Sequence, residues 1–206
     1  MNIKWYTPLI CGAVGYAEHS IGNKKVEILM ISRRSVNKAG TRLNARGLDD
    51  NGNAANYVET EQLMMVDNNI YSFVITRGSV PIFWSQAGKG TTKLHEDVTI
   101  TRSTEMTRPA FTKHFDEMIS EYGKIHCVDL LKDLREREMK LTKEYYKLYH
   151  ESKFKEDGLM DFLHFDFHRF SKGDNFTELR VLIDKLSEHI MKYGWGIYNV
   201  EKLNET

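Results

Sequence analysis

Apolar and polar positions alternate through the first half of the chain as they do in an antiparallel sheet. Four runs rich in aliphatic and aromatic residues predict strands at residues 26–32, 58–66, 71–76 and 80–86. Short polar turns at residues 67–69 and 77–79 separate the last three runs, and this spacing favours a meander. Pro81 has no backbone N–H, so we expect it at the start of a strand or on a sheet edge.

The second half has the periodicity of helices. Three segments carry an apolar stripe at helical spacing and predict helices near residues 109–122, 131–152 and 176–193. Pro109 favours a helix start and Gly123 a helix end. Asn175 and Glu178 have the spacing of a capping box at the start of the last helix.

Two shorter apolar segments lie between these helices. Residues 125–130 predict a buried strand, and residues 160–168 alternate like a strand. Strands therefore come first along the chain and mixed elements later. This order predicts an α+β (or α/β) fold with a mixed central β-sheet flanked by helices.

A long polar segment, residues 33–56, separates the first two predicted strands and concentrates arginine. Its cations, with one more after the third strand, are Arg33, Arg34, Lys38, Arg42, Arg46 and Arg77. Guanidinium groups bind phosphate oxygens in bidentate fashion, so a polyphosphorylated ligand suits this cluster. Ion pairing explains the same cations without a ligand, and composition alone favours that explanation. The carboxylates available for it are Asp49, Asp50, Glu59 and Glu61.

Composition and charge set limits on the compartment and the partners. The chain has 29 Lys+Arg and 29 Asp+Glu, so its net charge indicates no partner. Its two cysteines are too few for a disulfide scaffold, which favours a reducing, intracellular compartment. No apolar run reaches the roughly 18–20 residues of a spanning helix. The apolar stretch from Lys4 to Ala17 faintly resembles a signal peptide, but Pro8 and two glycines favour a buried strand or turn.

Two further groups are candidate catalytic or metal-binding residues. His164, Asp166 and His168 would face one side of a strand and could hold a divalent ion, but a strand with a polar face is the favoured explanation. A cysteine phosphatase needs an arginine six residues after its nucleophile, whereas Asp133 follows Cys127 at that distance and Ala17 follows Cys11. Cys127 lies in an apolar strand and is predicted to be an inert core residue.

An ordered set of short motifs resembles the signature of the SAC phosphoinositide phosphatases, the family that includes the SAC domains of synaptojanins. The motifs are Trp5-x-x-Pro8-Leu9-Ile10-x-Gly12, Arg33-Arg34-Ser35, Ala39-Gly40-Thr41-Arg42, Arg46-Gly47, Asp50-x-Gly52-Asn53, Ala55-Asn56, Val58-Glu59-Thr60-Glu61-Gln62, Arg77-Gly78-Ser79-Val80-Pro81, Phe83-Trp84-Ser85-Gln86, His114-Phe115-Asp116, Tyr122-Gly123 and Phe165-Asp166-Phe167-His168. Each motif alone is weak, but together they span roughly residues 5 to 200.

The resemblance implies hydrolysis of phosphate monoesters on inositol lipid head groups, through a cysteine thiolate and a phosphocysteine intermediate. It also implies that residues 1–206 are a partial domain, the N-terminal part of the catalytic subdomain, without the Cys-x5-Arg loop and without the separate N-terminal subdomain. This chain alone is then expected to be inactive. The competing hypothesis is a non-catalytic remnant that binds phosphoinositides or a protein partner.

The expected site follows from the motifs and the basic segment together. Arg42 and Arg46 are the leading candidates for substrate binding, followed by Arg33, Arg34 and Arg77. We expect no metal or other cofactor and no nucleic-acid partner. The expected partners are phosphoinositide head groups, an anionic membrane surface and a complementary half-domain or protein. The expected location is cytoplasmic, peripheral on the cytosolic face of endomembranes.

Overall fold

The chain divides into two compact units built from different parts of the sequence. The computed structural model describes residues 11–38, 45–88, 96–133, 135–170, 179–193 and 195–203. The first unit holds the described residues up to Val36, from Tyr57 to Arg77, and from Trp195 onward. The second unit holds the described residues of 37–56 and 78–194.

The elements follow one another in the order strands, helix, and then mixed strands and helices. In chain order they are β1 (Gly12–Ile21), β2 (Lys24–Arg34), β3 (Val58–Val66), β4 (Asn69–Arg77), β5 (Trp84–Gly88), β6 (Glu96–Ile100), α1 (Thr104–Tyr122), β7 (Ile125–Asp129), α2 (Glu136–His150), α3 (Lys153–Glu156), β8 (Met160–His164), α4 (Phe167–Phe170), α5 (Arg180–Tyr193), β9 (Gly196–Asn199) and α6 (Val200–Leu203).

The first unit is an antiparallel sheet in the order β1-β2-β3-β4-β9. Strand β3 pairs antiparallel with β2 and with β4, which confirms the β3–β4 part of the predicted meander, whereas its third strand, β5, pairs with β6 in a separate sheet. Strand β1 pairs with β2 along its full length and lies on the edge of the sheet. All ten of its residues are exposed, so the expectation of burial is wrong for residues 12–17, and residues 4–10 of that stretch lie outside the described residues.

The second unit joins a strand hairpin, a parallel strand pair and most of the helices. Strands β5 and β6 pair antiparallel, and β7 pairs in parallel with β8. The occurrence of antiparallel and parallel strands with separate helices confirms the α+β class. Aromatic rings fill the core: the Phe111 and Phe115 ring centroids on α1 lie 4.7 Å apart, and Tyr145 of α2 stacks 6.5 Å from Phe115.

Several predicted boundaries differ from the observed ones for local reasons. Helix α1 begins at Thr104, ahead of Pro109, because Ser103 caps it by accepting a hydrogen bond from the Met106 amide. Strand β5 begins at Trp84 instead of residue 80, because the chain turns at Pro81 with the Ile82 amide bonded to the Val80 carbonyl. Pro81 therefore precedes the strand.

The later elements are shorter than predicted. Strand β8 ends at His164 and α4 follows, so residues 160–168 are not one strand. Helix α2 begins at Glu136, and α5 begins at Arg180, while Asn175 and Glu178 lie outside the described residues. In the part of the chain that the structure describes, no helix is long and apolar enough to cross a membrane.

The turn at residues 49–53 rests directly on α1. Its backbone is shaped by the Asp49 carboxylate, which accepts hydrogen bonds from the amides of Asn51 (3.0 Å) and Asn53 (2.8 Å). Gly52 has a φ of +87°, and a Cβ added to it would lie 2.8 Å from the His114 amide nitrogen. Glycine is therefore required at this position both by the backbone angle and by the approach of the helix.

Replacing Gly52 with alanine is expected to destabilise the second unit more than replacing Gly158, which also has a positive φ but open space around its Cβ position. Gly158→Ala should cost about 1 kcal/mol from the left-handed backbone alone. Gly52→Ala should cost about 2 kcal/mol more, because helix backbone must move away from the new methyl group. Urea unfolding of both variants measures the difference, and equal losses would show that the turn does not depend on close contact with α1.

Candidate functional site

Three of the five predicted substrate-binding arginines lie on the strands of the first unit. In the strand register Arg34 and Arg77 are both partners of Val58, on either side of it. Directly opposed residues of neighbouring strands project from the same face of a sheet, and successive residues project from opposite faces. Arg34 and Arg77 therefore share one face, and Arg33 projects from the other.

Arg33 is engaged by two carboxylates on the neighbouring strand. Its guanidinium lies 2.7 Å from a Glu59 oxygen and 2.9 Å from a Glu61 oxygen. For this residue the structure contains the ion pairs that were the alternative to a phosphate ligand. The side chain remains 44% exposed, so these pairs stabilise the sheet only weakly.

Arg46 lies in the second unit, where its side chain contacts two other side chains. Its Nε donates to the Gln86 side-chain oxygen at 3.0 Å, and its guanidinium lies over the Trp84 ring, 5.4 Å from the centroid. The next residue, Gly47, donates its amide to the Ser79 hydroxyl at 2.8 Å. These contacts fix the positions of residues 46 and 47. Arg42 lies outside the described residues.

Two cations that the sequence analysis did not select meet at Asp50. The Arg102 guanidinium hydrogen-bonds to the Asp50 carboxylate and lies 3.7 Å from the centroid of the Phe83 ring. Lys113 of α1 donates to the Asp50 carbonyl oxygen at 3.1 Å. The hydrogen bond from Arg102 lowers the pKa of Asp50. No spacing rule links residues 50, 102 and 113, so only the fold could bring them together.

His114 is buried beneath the same turn and is electrically neutral. Its Nδ1 donates to the Gly52 carbonyl oxygen at 2.9 Å. Burial lowers its pKa to about 4, against an ordinary value of 6.5, although the hydrogen bond to Gly52 acts in the opposite direction. The ring therefore connects helix and turn through a neutral hydrogen bond at physiological pH.

His164 lies between two carboxylates at the end of the parallel strand pair. Its Nδ1 is 3.0 Å from Asp129, and its Nε2 is 2.6 Å from Asp133. Burial disfavours the charged ring, but the hydrogen bond to Asp133 and the charge of Asp129 outweigh it, so the pKa of His164 is raised. Two carboxylates thus favour the protonated ring, and one of them, Asp129, also accepts a hydrogen bond from the Thr142 hydroxyl at 2.7 Å.

The predicted alignment of His164 with Asp166 and His168 is wrong, because the strand ends at His164. Asp166 is buried in the turn that follows and accepts hydrogen bonds from the amides of Asp133 and Arg169, both at 3.0 Å. His168 is exposed on α4. These three side chains consequently do not share one strand face.

The two thiols differ in their surroundings. Cys127 is buried on β7, and burial raises its pKa to about 12, with a hydrogen bond to Tyr145 acting the other way. Such a thiol is protonated and shielded at neutral pH, as expected of a core residue. Cys11 is exposed beside β1.

Comparison with known proteins places these features in a family. The SacI homology domain model matches residues 2–172. The chain is similar to polyphosphatidylinositol phosphatase INP53 of Saccharomyces cerevisiae, with 38% identity over 92% of this chain and 17% of that protein. It is 34% identical to human synaptojanin-1 over 95% of this chain and 12% of that protein. It is 39% identical to human phosphatidylinositide phosphatase SAC2 over 82% of this chain and 14% of that protein. The chain thus spans 12–17% of the length of these relatives.

The buried, neutral His114 predicts a specific loss of stability in acid. The unfolded chain binds a proton on this ring near pH 6.5, but the folded chain does so only near pH 4. Between these values the unfolded state holds more protons, so the free energy of unfolding should fall by about 3 kcal/mol as the pH is lowered from 6.5 to 4.

His114→Asn should remove this part of the pH dependence, since the Asn amide can still donate to Gly52 but does not titrate. Urea unfolding at pH 7 and pH 4.5 measures it, with His150→Asn on the exposed face of α2 as the matched control. An identical pH dependence in the parent and the His114 variant would show that the ring is not buried as described.

Proposed function

This chain belongs to the SacI homology domain family, and on that premise we propose that it is the head-group-binding part of a phosphoinositide phosphatase domain. The observation that carries the proposal is the family match over residues 2–172. Relatives with this domain are named as phosphatases of phosphatidylinositol phosphates. The complete domain hydrolyses phosphate monoesters through a cysteine thiolate and a phosphocysteine intermediate.

In this proposal the arginines of the chain bind the phosphate groups. Arg34 and Arg77 support it because they project from one face of the sheet, on either side of Val58. Two guanidinium groups with a strand between them can each take a separate phosphate group of one inositol ring. Arg42 and Arg46, in the segment that carries five of the twelve family motifs, remain the leading candidates.

The site works at a membrane surface, because its substrates are lipids. We propose that the protein is cytoplasmic and binds reversibly to the cytosolic face of endomembranes, where anionic lipids attract basic residues. A complementary half-domain or another protein is a further partner in this proposal.

A second candidate function is a non-catalytic phosphoinositide-binding protein. What favours it is the state of the thiols: neither is followed by an arginine at the sixth position, and Cys127 is buried with a raised pKa. The codons that follow Thr206 in frame distinguish the two. A Cys-x5-Arg pattern there supports the phosphatase, and a stop codon supports the binding protein.

We expect purified residues 1–206 to release no phosphate from any phosphoinositide. Attack on phosphorus requires an accessible thiolate and a guanidinium that stabilises the transition state. Cys127 is buried, and neither thiol is followed by an arginine at the sixth position. An inorganic-phosphate assay on mono- and bisphosphorylated inositol lipids checks this, with Cys127→Ser as the matched variant. Phosphate release that disappears in Cys127→Ser would identify Cys127 as the nucleophile. It would contradict the proposal that this chain binds the head group without catalysing hydrolysis by itself.

Binding of the head group should depend on the proposed arginines. Arg42→Ala, Arg46→Ala, Arg34→Ala and Arg77→Ala should each weaken binding to vesicles that contain phosphatidylinositol bisphosphate by about tenfold, since each removes charge-assisted hydrogen bonds. Vesicle co-sedimentation measures this, with phosphatidylserine vesicles of equal charge as the reference lipid.

Arg108→Ala is the matched control, because Arg108 is an arginine of α1 whose side chain is 40% exposed and pairs with Glu151 at 2.7 Å. Gln86→Ala distinguishes a ligand-binding role of Arg46 from a structural one, since it removes a hydrogen-bond partner of that arginine and leaves the cation. A large loss of melting temperature with unchanged vesicle binding would identify an arginine as a structural partner instead of a ligand-binding residue.

A further inference from the structure

Three side chains with metal-ligand chemistry converge in the second unit. His126 lies on β7, Asp161 on β8 and His189 on α5. One ligand atom from each side chain lies within 4.8 Å of the ligand atoms of the other two. The group therefore joins the strand pair to a helix that is distant in the sequence.

The backbone fixes two of the three positions. Strands β7 and β8 pair in parallel, and His126 is the register partner of Asp161. Their side chains consequently project side by side from the same face of the pair. The third group comes from α5, whose His189 ring lies 4.2 Å from the His126 ring, centroid to centroid, with an interplanar angle of 40°.

The distances fit a metal after a small contraction. The Nδ1 of His189 lies 3.7 Å from a carboxylate oxygen of Asp161. Ligand atoms bound tetrahedrally at about 2.1 Å from zinc lie about 3.4 Å from one another. Movements of less than about 1 Å, within the reach of side-chain rotation, close the group around an ion.

The chemistry of the donors selects among metals. Two imidazoles and one carboxylate suit zinc and neighbouring transition metals, whereas magnesium and calcium prefer oxygen ligands throughout. All three side chains are half-buried, which limits competition from water and leaves a path for an ion. The positively charged Nζ of Lys124 lies 3.6 Å from the Asp161 carboxylate, where it competes with a metal ion for that ligand.

We propose that His126, Asp161 and His189 form a binding site for a divalent transition metal, with Zn²⁺ as its natural occupant and a water molecule in the fourth position. The ion cross-links α5 to the parallel strand pair. The sequence gives no signal for this site, because these residues are 35 and 28 positions apart and match no ligand spacing.

Titration calorimetry of the tag-free, metal-stripped chain with ZnCl₂ tests the site. One ion per chain should bind, and His126→Gln, Asp161→Asn and His189→Gln should each lower the affinity by more than about tenfold, at least as much as the loss of an outer-shell residue. His150→Gln on α2 is the exposed-histidine control. His164→Gln tests the other histidine–carboxylate group, and both controls should bind zinc like the parent. Lys124→Gln should bind equally or more tightly.

A measurement on the parent chain keeps the test valid if a variant fails to fold. X-ray absorption of the zinc-loaded chain should give two imidazole nitrogens at about 2.0 Å. The proposal is overturned by an absence of zinc binding, by zinc binding that survives all three substitutions, by a spectrum without imidazole ligands, or by an equal loss in His164→Gln. Tighter binding of MgCl₂ than of ZnCl₂ also overturns it.

Discussion

The close approach of a glycine turn to a helix organises the second unit of this protein. Helix α1 comes so near Gly52 that no Cβ fits between them, and the His114 ring donates to the carbonyl of that glycine. The residues on either side of the turn are also fixed in place. The Leu48 amide donates to the Ile82 carbonyl at 2.9 Å, and Ala55 is completely buried. A buried donor left without its acceptor costs about 1–3 kcal/mol, so helix and turn stabilise each other.

Two histidines of the same unit show how burial and charge compete. His114 has a backbone carbonyl as its hydrogen-bond partner, and burial therefore lowers its pKa. His164 loses solvation too, but the hydrogen bond to Asp133 and the charge of Asp129 outweigh that loss and raise its pKa. The partners therefore decide the direction of the shift: a neutral carbonyl does not compensate for burial at the first ring, whereas two carboxylates do so at the second.

The sequence predicted those parts of the fold that depend on residues close together in the chain. The antiparallel pairing of β3 with β4 was predictable because a short polar turn and alternating side chains specify neighbouring strands, whereas the long segment between β2 and β3 gives no such local signal. The start of α1 was misplaced because the capping hydroxyl of Ser103 outweighs the preference of Pro109 for a first turn. The meeting of Arg102 and Lys113 at Asp50 has no sequence signal, since it depends on three segments that only the fold brings together.

The alternation of side chains across a strand also limits how a basic segment can bind an anion. Arg33 and Arg34 are adjacent in the sequence, yet the pleat sends them to opposite faces, and Glu59 and Glu61 engage the first of them. Adjacency along the chain therefore does not place these two arginines on one face of the sheet. The pairing that places cations together runs across strands, from Arg34 through Val58 to Arg77. For a head group with several phosphates, the strand register thus decides more than the number of arginines.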